Sequence, residues 1–214
     1  AGCCQTNKAL MGGQTQGLKM RLLAGICAAG NSSRMGFDKL STPPSLHSPD
    51  TLLRRAITAA KGHDILVALP PDTHPYFASR RAILRRRDAF VCVEQANDGL
   101  SATLKYLAKA AISGGYDGLI VMLADLPFIT AAHLDSLVAL FETFEGTQSV
   151  RAMSQSGRDG HPVIFPTSLL PKFDRLTGDH GAQELMAKYG AKRVEMPSEA
   201  ATWDMDTLED WRQM

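Results

Sequence analysis

The stretch from Cys27 to Lys39, "CAAGNSSRMGFDK", combines small residues with two cations directly after an apolar run. Gly30 and Gly36 permit backbone angles closed to most residues and let a ligand approach the main chain. Consecutive exposed N–H groups form an anion-binding nest, while Arg34 and Lys39 add charges suited to phosphate oxygens. The pattern predicts a phosphate-binding loop. The alternative is a plain strand-to-helix turn that carries surface cations.

This loop is not one of the two common glycine-rich nucleotide motifs. A P-loop places lysine directly after its second glycine, whereas Phe37 and Asp38 intervene here. The dinucleotide-binding motif GxGxxG is absent as well. Any phosphate site must therefore be of a different type.

The surrounding chain alternates apolar runs of strand length with amphipathic segments. The first four runs are nearly continuously hydrophobic, as expected of strands covered on both faces. The predicted strands are residues 21–28, 64–70, 89–94, 117–124, 149–153, 161–165 and 192–196. Predicted helices lie in "DTLLRRAITAAK", in "LSATLKYLAKAAI" and after Thr130, which can cap "AAHLDSLVALFETF". The alternation predicts an α/β, three-layer Rossmann-like fold, a mainly parallel sheet with helices on both faces.

Polar loops follow three of these predicted strands. The first is the stretch described above, "QANDGLSATL" follows residues 89–94, and "DLPFIT" follows residues 117–124. In open α/β sheets, ligands bind outside the carboxyl ends of the strands, near the topological switch point. We therefore expect these loops to build one site.

Length and charge narrow the class of protein. The 214 residues suffice for one domain, expected over 20–214, and residues 1–19 are expected to be a poorly ordered extension. The net charge of +1 argues against a dedicated nucleic-acid binder, and no stretch approaches the roughly 20 apolar residues of a membrane span.

The arginine-rich run at 79–88 is interpreted as a solvated helix face. Cysteines without zinc spacing favour a reducing, cytoplasmic location, with Cys27 and Cys92 as small core residues.

Six ordered segments between residues 20 and 212 resemble one family. "CAAGNSSRMGFDK" resembles LAAGxSxRMGxxK, the signature of MobA-like nucleotidyltransferases, which include the molybdopterin guanylyl- and cytidylyltransferases. The other five segments are also similar to family motifs: "NDGLSATLKYLA", "VMLADLPFIT", "GRDGHPVIF", "LTGDHGAQELM" and "WDMDTLEDW". The resemblance implies a sheet of the nucleotide-diphospho-sugar transferase type. One departure is the proline-rich stretch after Lys39, with Pro43, Pro44 and Pro49 where the family has a leucine-rich segment.

The resemblance implies transfer of a nucleotidyl group from a nucleoside triphosphate to a phosphorylated acceptor, with release of pyrophosphate. Arg34 and Lys39 would neutralise phosphate charge, and Asp125 would take part in catalysis. Mg²⁺ favours one or two carboxylates, so Asp125 and Asp206 are the candidate ligands, with Asp204 as the other possibility. The alternative for Asp125 is a helix cap or turn. Asp206 or Thr207 could simply cap the helix "LEDWRQ".

Further ligand contacts are implied by the same resemblance. The loop would hold the triphosphate, the segment around Ser101 would contact the nucleotide, and His161 and Asp179 would face the acceptor. For the segment around Ser101, the alternative is a side-chain cap of the helix by Asp98 or Ser101. For His161, the alternative is a structural role. The complete set of implied binding residues is Ala28, Ala29, Gly30, Asn31, Ser32, Ser33, Lys39, Asn97, Gly99, Ser101, His161 and Asp179.

The identity of the nucleotide is less constrained than the reaction. The family resemblance associates "AAG" with cytidylyl transfer and "AGG" with guanylyl transfer, so Ala29 favours CTP over GTP. Molybdopterin is the favoured acceptor, and a sugar or alditol phosphate is the alternative within the fold. A regulatory nucleotide-binding domain without turnover is the alternative of another class. Retention of Arg34, Lys39 and Asp125 together argues against it, because a binding module has no leaving pyrophosphate to stabilise.

Overall fold

The structure is a computed structural model that describes residues 19–32, 35–44, 49–178 and 182–212. Seven strands and six α-helices occur in these ranges, together with two 3₁₀ helices at Ala96–Asp98 and Thr167–Arg175. The strands are β1 Leu22–Cys27, β2 Asp64–Leu69, β3 Ala89–Cys92, β4 Gly118–Leu123, β5 Val150–Met153, β6 Asp159–Pro166 and β7 Lys192–Glu195. The helices are α1 Leu52–Ala59, α2 Phe77–Ile83, α3 Leu100–Ser113, α4 Ala131–Thr143, α5 Gln183–Tyr189 and α6 Leu208–Arg212.

All seven predicted strands form, with ends that move by up to two residues. They make one sheet in the order β3-β2-β1-β4-β6-β5-β7. β1 pairs in parallel with both β2 and β4, and β2 pairs in parallel with β3, whereas β6 runs antiparallel to both β4 and β5. The prediction of a mainly parallel α/β sheet is confirmed. The chain leaves β1 towards β2 and later returns to β4 on the other side, so the topological switch point lies between β1 and β4.

The strand β1 shows why the fold has three layers. Leu22, Ala24 and Ile26 pack into the core beneath α1 and α4, whereas Leu23 packs into the core on the α3 side. Successive side chains of a strand point to opposite faces, so a nearly continuous apolar run is what a strand buried on both faces requires. The two cores therefore fix β1 and β4 as the rigid centre from which the loops emerge.

Helix ends agree well with the capping predicted for α4. The Thr130 side chain accepts a hydrogen bond from the backbone N–H of His133, and α4 begins at Ala131 as expected. In α3 the cap position is Gly99, and no side chain caps the helix. A side-chain cap by Asp98 or Ser101 is therefore not what starts α3.

Two sequence-based expectations about exposure change with the structure. Arg80, inside the run 79–88, is completely buried, so the interpretation of the run as a solvated face is wrong at this residue. The run also forms less helix than expected, because α2 ends at Ile83. Cys27 and Cys92 are both only partly buried and carry free thiols. None of the helices within the described ranges is long and apolar enough to cross a membrane.

Several earlier predictions concern residues outside the described ranges. Residues 1–18 of the predicted extension are among them, as are Ser33, Arg34 and Asp179. The single domain over 20–214 and the cytoplasmic location stay predictions.

Candidate active site

Three predicted residues meet at the carboxyl ends of β1 and β4. The Lys39 ammonium nitrogen Nζ lies 2.9 Å from Asp125 Oδ2 and 2.6 Å from Asp206 Oδ1. The Lys39 side chain is 8% exposed, while those of Asp125 and Asp206 are 24% and 32% exposed. The lysine is therefore buried behind two carboxylates that still face solvent. We call these three residues the lysine cluster.

Local structure explains why each carboxylate is available for this cluster. Asp125 follows β4 in the loop that leads to α4, and because Thr130 caps that helix, Asp125 is not its cap. Thr207 caps α6, since its hydroxyl oxygen accepts a hydrogen bond from the N–H of Asp210 at 3.2 Å. Asp206 pairs with Lys39. The geometry thus excludes a helix cap for Asp125, which lies in a turn as the alternative allowed, and Thr207 provides a cap for α6.

The electrostatics of the cluster keep Lys39 charged. Burial alone would lower the pKa of Lys39, but the charge of Asp125 and hydrogen bonds to both carboxylates outweigh it and raise that pKa above its ordinary value. Asp204 lies nearby with a different environment: burial, and then the charges of Asp206 and Asp125, raise its pKa. Among the ion pairs of the described residues, Lys39 contacts Asp206 and does not contact Asp204.

A cavity of about 210 Å³ opens onto the lysine cluster. Besides the cluster, it is lined by Gly30 and Ser32 of the predicted phosphate loop and by Cys27. Burial, and then the charge of Asp125, raise the pKa of Cys27 to about 12, so this thiol is neutral and is no candidate nucleophile. The cavity combines a fixed cation, two carboxylates and main-chain groups, which suits a charged ligand with several oxygen atoms.

The loops after β1, β2 and β3 are joined by a chain of hydrogen bonds. The N–H of Tyr76 donates to His74 Nδ1 at 3.1 Å, so the ring proton lies on Nε2, which donates to Asn31 Oδ1 at 3.1 Å. The Asn31 amide in turn donates to Asn97 Oδ1 at 3.1 Å. Burial, and then the charge of Arg80, lower the pKa of His74, which agrees with a neutral ring. Asn31 and Asn97, both among the predicted binding residues, are in direct contact.

Ser101 and His161, two further predicted residues, do not line the cavity of the lysine cluster. Ser101 is buried at the first turn of α3, and its N–H donates to the Gly178 carbonyl at 3.1 Å. It lines a separate cavity of about 610 Å³ beside Lys105 and Tyr106. His161 lies in β6 with its Nδ1 buried and without a hydrogen-bond partner in the described part of the chain.

Cavity size alone would have pointed to another place. A cavity of about 650 Å³ lies at the amino ends of β2 and β3, where Asp64 and Ala89 line it. It contains none of the predicted site residues. We place the candidate site at the smaller cavity, because there a buried cation, two carboxylates and the glycine-rich loop meet at the switch point of the sheet.

The two carboxylates of the lysine cluster also fit a divalent cation. Mg²⁺ is usually bound by one or two carboxylates and completed by water and phosphate oxygens, and Asp125 and Asp206 present that donor set at one point. The described residues contain no group of three or more acidic, histidine or cysteine ligands. The donor set thus suits a metal that arrives with a phosphate ligand better than a dedicated protein cage.

The strand order and the structural neighbours together show a Rossmann-like fold of the nucleotide-diphospho-sugar transferase type. The family model of the MobA-like NTP transferase domain matches residues 24–194. The chain therefore belongs to this family, as its sequence motifs predict.

Two curated relatives carry names that refer to different functions. Purine catabolism protein PucB of Bacillus subtilis is 30% identical over 200 residues, which cover 89% of this chain and 94% of PucB. Phosphoenolpyruvate guanylyltransferase of Sphaerobacter thermophilus is 28% identical over 160 residues, covering 74% of this chain and 73% of that enzyme. The names of the two relatives thus indicate different roles.

Solved structures show the same fold. The homologue of Mycobacterium tuberculosis Rv0371c from Mycobacterium sp. strain JC1 superposes with a TM-score of 0.76 at 26% identity, covering 92% of this chain and 96% of that one. Rv0371c itself, in complex with manganese, superposes with a TM-score of 0.70 at 22% identity, covering 90% of this chain and 97% of that one.

Sequence reasoning missed three residues that shape the site. Asp38 lies in the loop after β1, and His74 and Arg80 contact this loop from the segment around α2. Arg80 lies 42 positions from its partner Asp38. No local sequence pattern indicates that these two residues pair. Because Arg80 lies in a run of arginines, it was predicted to be one of several surface charges.

Proposed function

We propose that this protein transfers a nucleotidyl group from CTP to the phosphate of a small acceptor, with molybdopterin as the favoured acceptor, and releases pyrophosphate. The observation that carries the proposal is the lysine cluster, in which one buried ammonium contacts both Asp125 and Asp206 beside the glycine-rich loop. A nucleoside triphosphate needs cationic and N–H donors for its phosphates and carboxylates for its metal. The cluster supplies the ammonium and the carboxylates at one point, and the loop's main chain adjoins it.

The reaction requires little covalent help from the protein. An oxygen of the acceptor phosphate attacks the α-phosphorus, a new oxygen–phosphorus bond forms, and the bond to the β-phosphate breaks as pyrophosphate leaves. In phosphoryl-type transfers, catalysis is mostly positioning and electrostatic stabilisation. We assign Lys39 to the phosphate oxygens, where its charge offsets the negative charge that grows on the leaving pyrophosphate.

The carboxylates would then change partners when substrate binds. Asp125 and Asp206 would hold Mg²⁺, which when bound neutralises phosphate charge and polarises phosphate oxygens. Loss of the carboxylates to the metal would leave the Lys39 ammonium to contact phosphate. The manganese complex of Rv0371c supports a divalent cation in this fold. Arg34, Ser33 and Asp179 stay proposed contributors to the triphosphate and acceptor sides.

Guanylyl transfer is the second candidate. It is favoured by the relative that is named a phosphoenolpyruvate guanylyltransferase, whose name also indicates a different phosphorylated acceptor. Ala29 in "AAG" favours CTP through the family resemblance. His161 stays a proposed neighbour of the acceptor, with its buried Nδ1 as the unsatisfied group.

A pyrophosphate-release panel tests the proposal directly. The protein is incubated with Mg²⁺, each of the four ribonucleoside triphosphates, and acceptors that include molybdopterin, phosphoenolpyruvate and sugar phosphates. We expect release with CTP and molybdopterin, and its loss in Asp125→Asn but not in Asp135→Asn, an exposed carboxylate on α4. Release with GTP and phosphoenolpyruvate alone would favour the second candidate. Absence of release with every pair would contradict nucleotidyl transfer to these acceptors.

A further inference from the structure

The side chain of Arg80 enters the core from α2 and ends beneath the loop after β1. Its Nη1 donates to the carbonyl oxygens of Ala28 at 2.8 Å and of Gly30 at 2.7 Å. Nε and Nη2 both donate to Asp38 Oδ1, at 3.0 and 2.8 Å, and Nη2 also donates to Ser32 Oγ at 3.3 Å. A guanidinium has five N–H donors. Each of them has an acceptor here, and four of the five bonds go to main-chain carbonyls of the loop or to Asp38.

The carboxylate of Asp38 is held as firmly as the arginine. Its Oδ2 accepts hydrogen bonds from the hydroxyls of Ser41 at 2.6 Å and Ser79 at 2.9 Å, and its Oδ1 accepts one from the N–H of Leu40 at 3.3 Å. A buried ion pair is stable only if its remaining donors and acceptors are also satisfied. This pair meets that condition, so it is a fixed part of the structure. We call Arg80 and Asp38 the arginine brace.

The contacts of the arginine brace set the direction of two loop amides. In a planar trans peptide, the C=O of one residue and the N–H of the next point in opposite directions. Because the carbonyls of Ala28 and Gly30 point at Arg80, the N–H groups of Ala29 and Asn31 point away from it. Gly30 and Ser32 of the same loop line the cavity of the lysine cluster. Main-chain N–H groups left free to face a ligand can contribute to anion binding.

We propose that Arg80 is a positioning residue for nucleotide binding. It holds the backbone of residues 28–31 so that the amides of Ala29 and Asn31 are aimed at the polyphosphate before it arrives. Arg80 touches no substrate itself and acts through the main chain. This inference deepens the proposed function, on which it rests for the identity of the ligand as a nucleoside triphosphate.

The link to catalysis passes through consecutive residues. Asp38 belongs to the arginine brace and Lys39 to the lysine cluster, so the same turn fixes both the amides and the ammonium. Preorganised donors contribute most when they need no rearrangement on binding. Loosening the brace should therefore weaken ground-state binding of the triphosphate and leave binding of the acceptor unchanged.

The test compares Arg80→Lys with Arg86→Lys. Arg80→Lys keeps a positive charge beside Asp38 but cannot donate to two carbonyls and the carboxylate in the same plane. Arg86 is exposed in the same arginine-rich run, so the matched change there controls for general effects. Binding of inorganic tripolyphosphate with Mg²⁺ is measured by calorimetry on the full chain, because this probe needs no base and no acceptor. Thermal unfolding is recorded for each variant.

We expect Arg80→Lys to bind tripolyphosphate at least 10-fold more weakly and to raise the KM for the nucleotide without raising the KM for the acceptor. Arg86→Lys should match the wild type in all three measurements. If Arg80→Lys does not fold, the charge-free double variant Asp38→Asn with Arg80→Met replaces it, with the same expectation.

Two results would overturn the inference. The first is unchanged tripolyphosphate affinity in a folded Arg80 variant, even one with lowered thermal stability, because that pattern would make Arg80 purely structural. The second is absence of tripolyphosphate binding by the wild type. If the wild type binds tripolyphosphate, Arg80→Lys binds it more weakly and the substrate panel gives no pyrophosphate, the result would support this inference and contradict the proposed function.

Discussion

Two buried cation–carboxylate groups lie side by side in this protein, and they differ in what surrounds them. Lys39 contacts Asp125 and Asp206, whose side chains are 24% and 32% exposed, whereas Arg80 is fully buried against Asp38, which is 6% exposed. The partners of Lys39 are reachable from a cavity, and those of Arg80 are enclosed by loop carbonyls and hydroxyl groups. The lysine cluster is thus open to a ligand from the cavity, whereas the arginine brace is enclosed by protein groups.

The comparison separates two uses of the same kind of ion pair. An ion pair that is buried out of reach of solvent is a fixed element, and it holds the backbone that it contacts in one arrangement. A buried ion pair that solvent can still reach provides a cation whose interactions are stronger because the local dielectric is low, and this cation can still contact an incoming anion. The neighbouring positions of Asp38 and Lys39 place both uses on one turn of chain.

The largest expected effect is on stability, when the arginine brace is cut on one side. Arg80→Met leaves Asp38 buried without its cation, which should lower the free energy of unfolding by about 3–5 kcal/mol. Urea denaturation of the variant and the wild type measures this difference. Arg86→Met, at an exposed position of the same run, should be within about 0.5 kcal/mol of the wild type. A cost for Arg80→Met as small as that of Arg86→Met would remove the distinction between the two groups.

The next effect is on turnover, when the lysine cluster loses a carboxylate. Asp125→Ala should slow pyrophosphate release by about 100- to 1,000-fold, the scale expected when a preorganised electrostatic group is removed. Lys39 keeps Asp206 as a partner, and the site is open to water, so the variant should fold normally. Steady-state kinetics measure the rate of pyrophosphate release, and circular dichroism checks that the variant is folded. A variant that turns over at the wild-type rate would take Asp125 out of the site.

A smaller effect is expected at the start of α3. Gly99 has φ of 90° and ψ of −174°, a region that is essentially restricted to glycine. Gly99→Ala should cost about 1–3 kcal/mol of unfolding free energy and should shift Asn97 from Asn31. Gly157→Ala, at a positive φ in a turn far along the chain, is the control for strain alone. We expect only Gly99→Ala to raise the KM for the nucleotide, and an equal rise in both variants would show that strain alone is responsible.

The smallest effect at neutral pH concerns His161. Burial, and then the charge of Arg151, lower its pKa to about 4, despite the opposing charge of Asp125. Between the ordinary value of 6.5 and about 4, the unfolded chain binds a proton that the folded one does not. The contribution of His161 to stability is therefore constant above pH 6.5 and is lost as pH falls towards 4.

The variant His161→Asn tests this directly. Its unfolding free energy should fall less steeply than that of the wild type between pH 6.5 and 4, by about 3 kcal/mol over the interval. Denaturant titrations at several pH values give the two curves. Parallel curves would mean that His161 keeps its ordinary pKa in the folded protein.

Much of the fold could be predicted because its causes are local. Continuous apolar runs indicated β1 and β4 as doubly covered strands, and Thr130 at the start of an amphipathic segment indicated the cap of α4. The meeting of Lys39 and Asp125 could be anticipated for the same reason, since both lie in loops that follow central strands, whereas their roles were implied by the family resemblance. Parallel strands with adjacent carboxyl ends must bring such loops together.

The arginine brace could not be predicted because its cause is tertiary. Arg80 lies among exposed arginines, and only the packing of α2 against the sheet turns its side chain towards Asp38. The choice between Asp204 and Asp206 as the second metal ligand was likewise open in the sequence, because two residues of spacing do not say which side chain faces the cavity. Geometry favours Asp206.

The central claim is that the lysine cluster is the meeting point of polyphosphate and divalent cation. Crystals grown with Mn²⁺ and a non-hydrolysable CTP analogue, analysed by anomalous scattering, test it most directly. We predict one manganese peak bound by Asp125 and Asp206, with the Lys39 ammonium moved onto a phosphate oxygen. A manganese peak that neither carboxylate touches, with Lys39 still between them, would contradict the account.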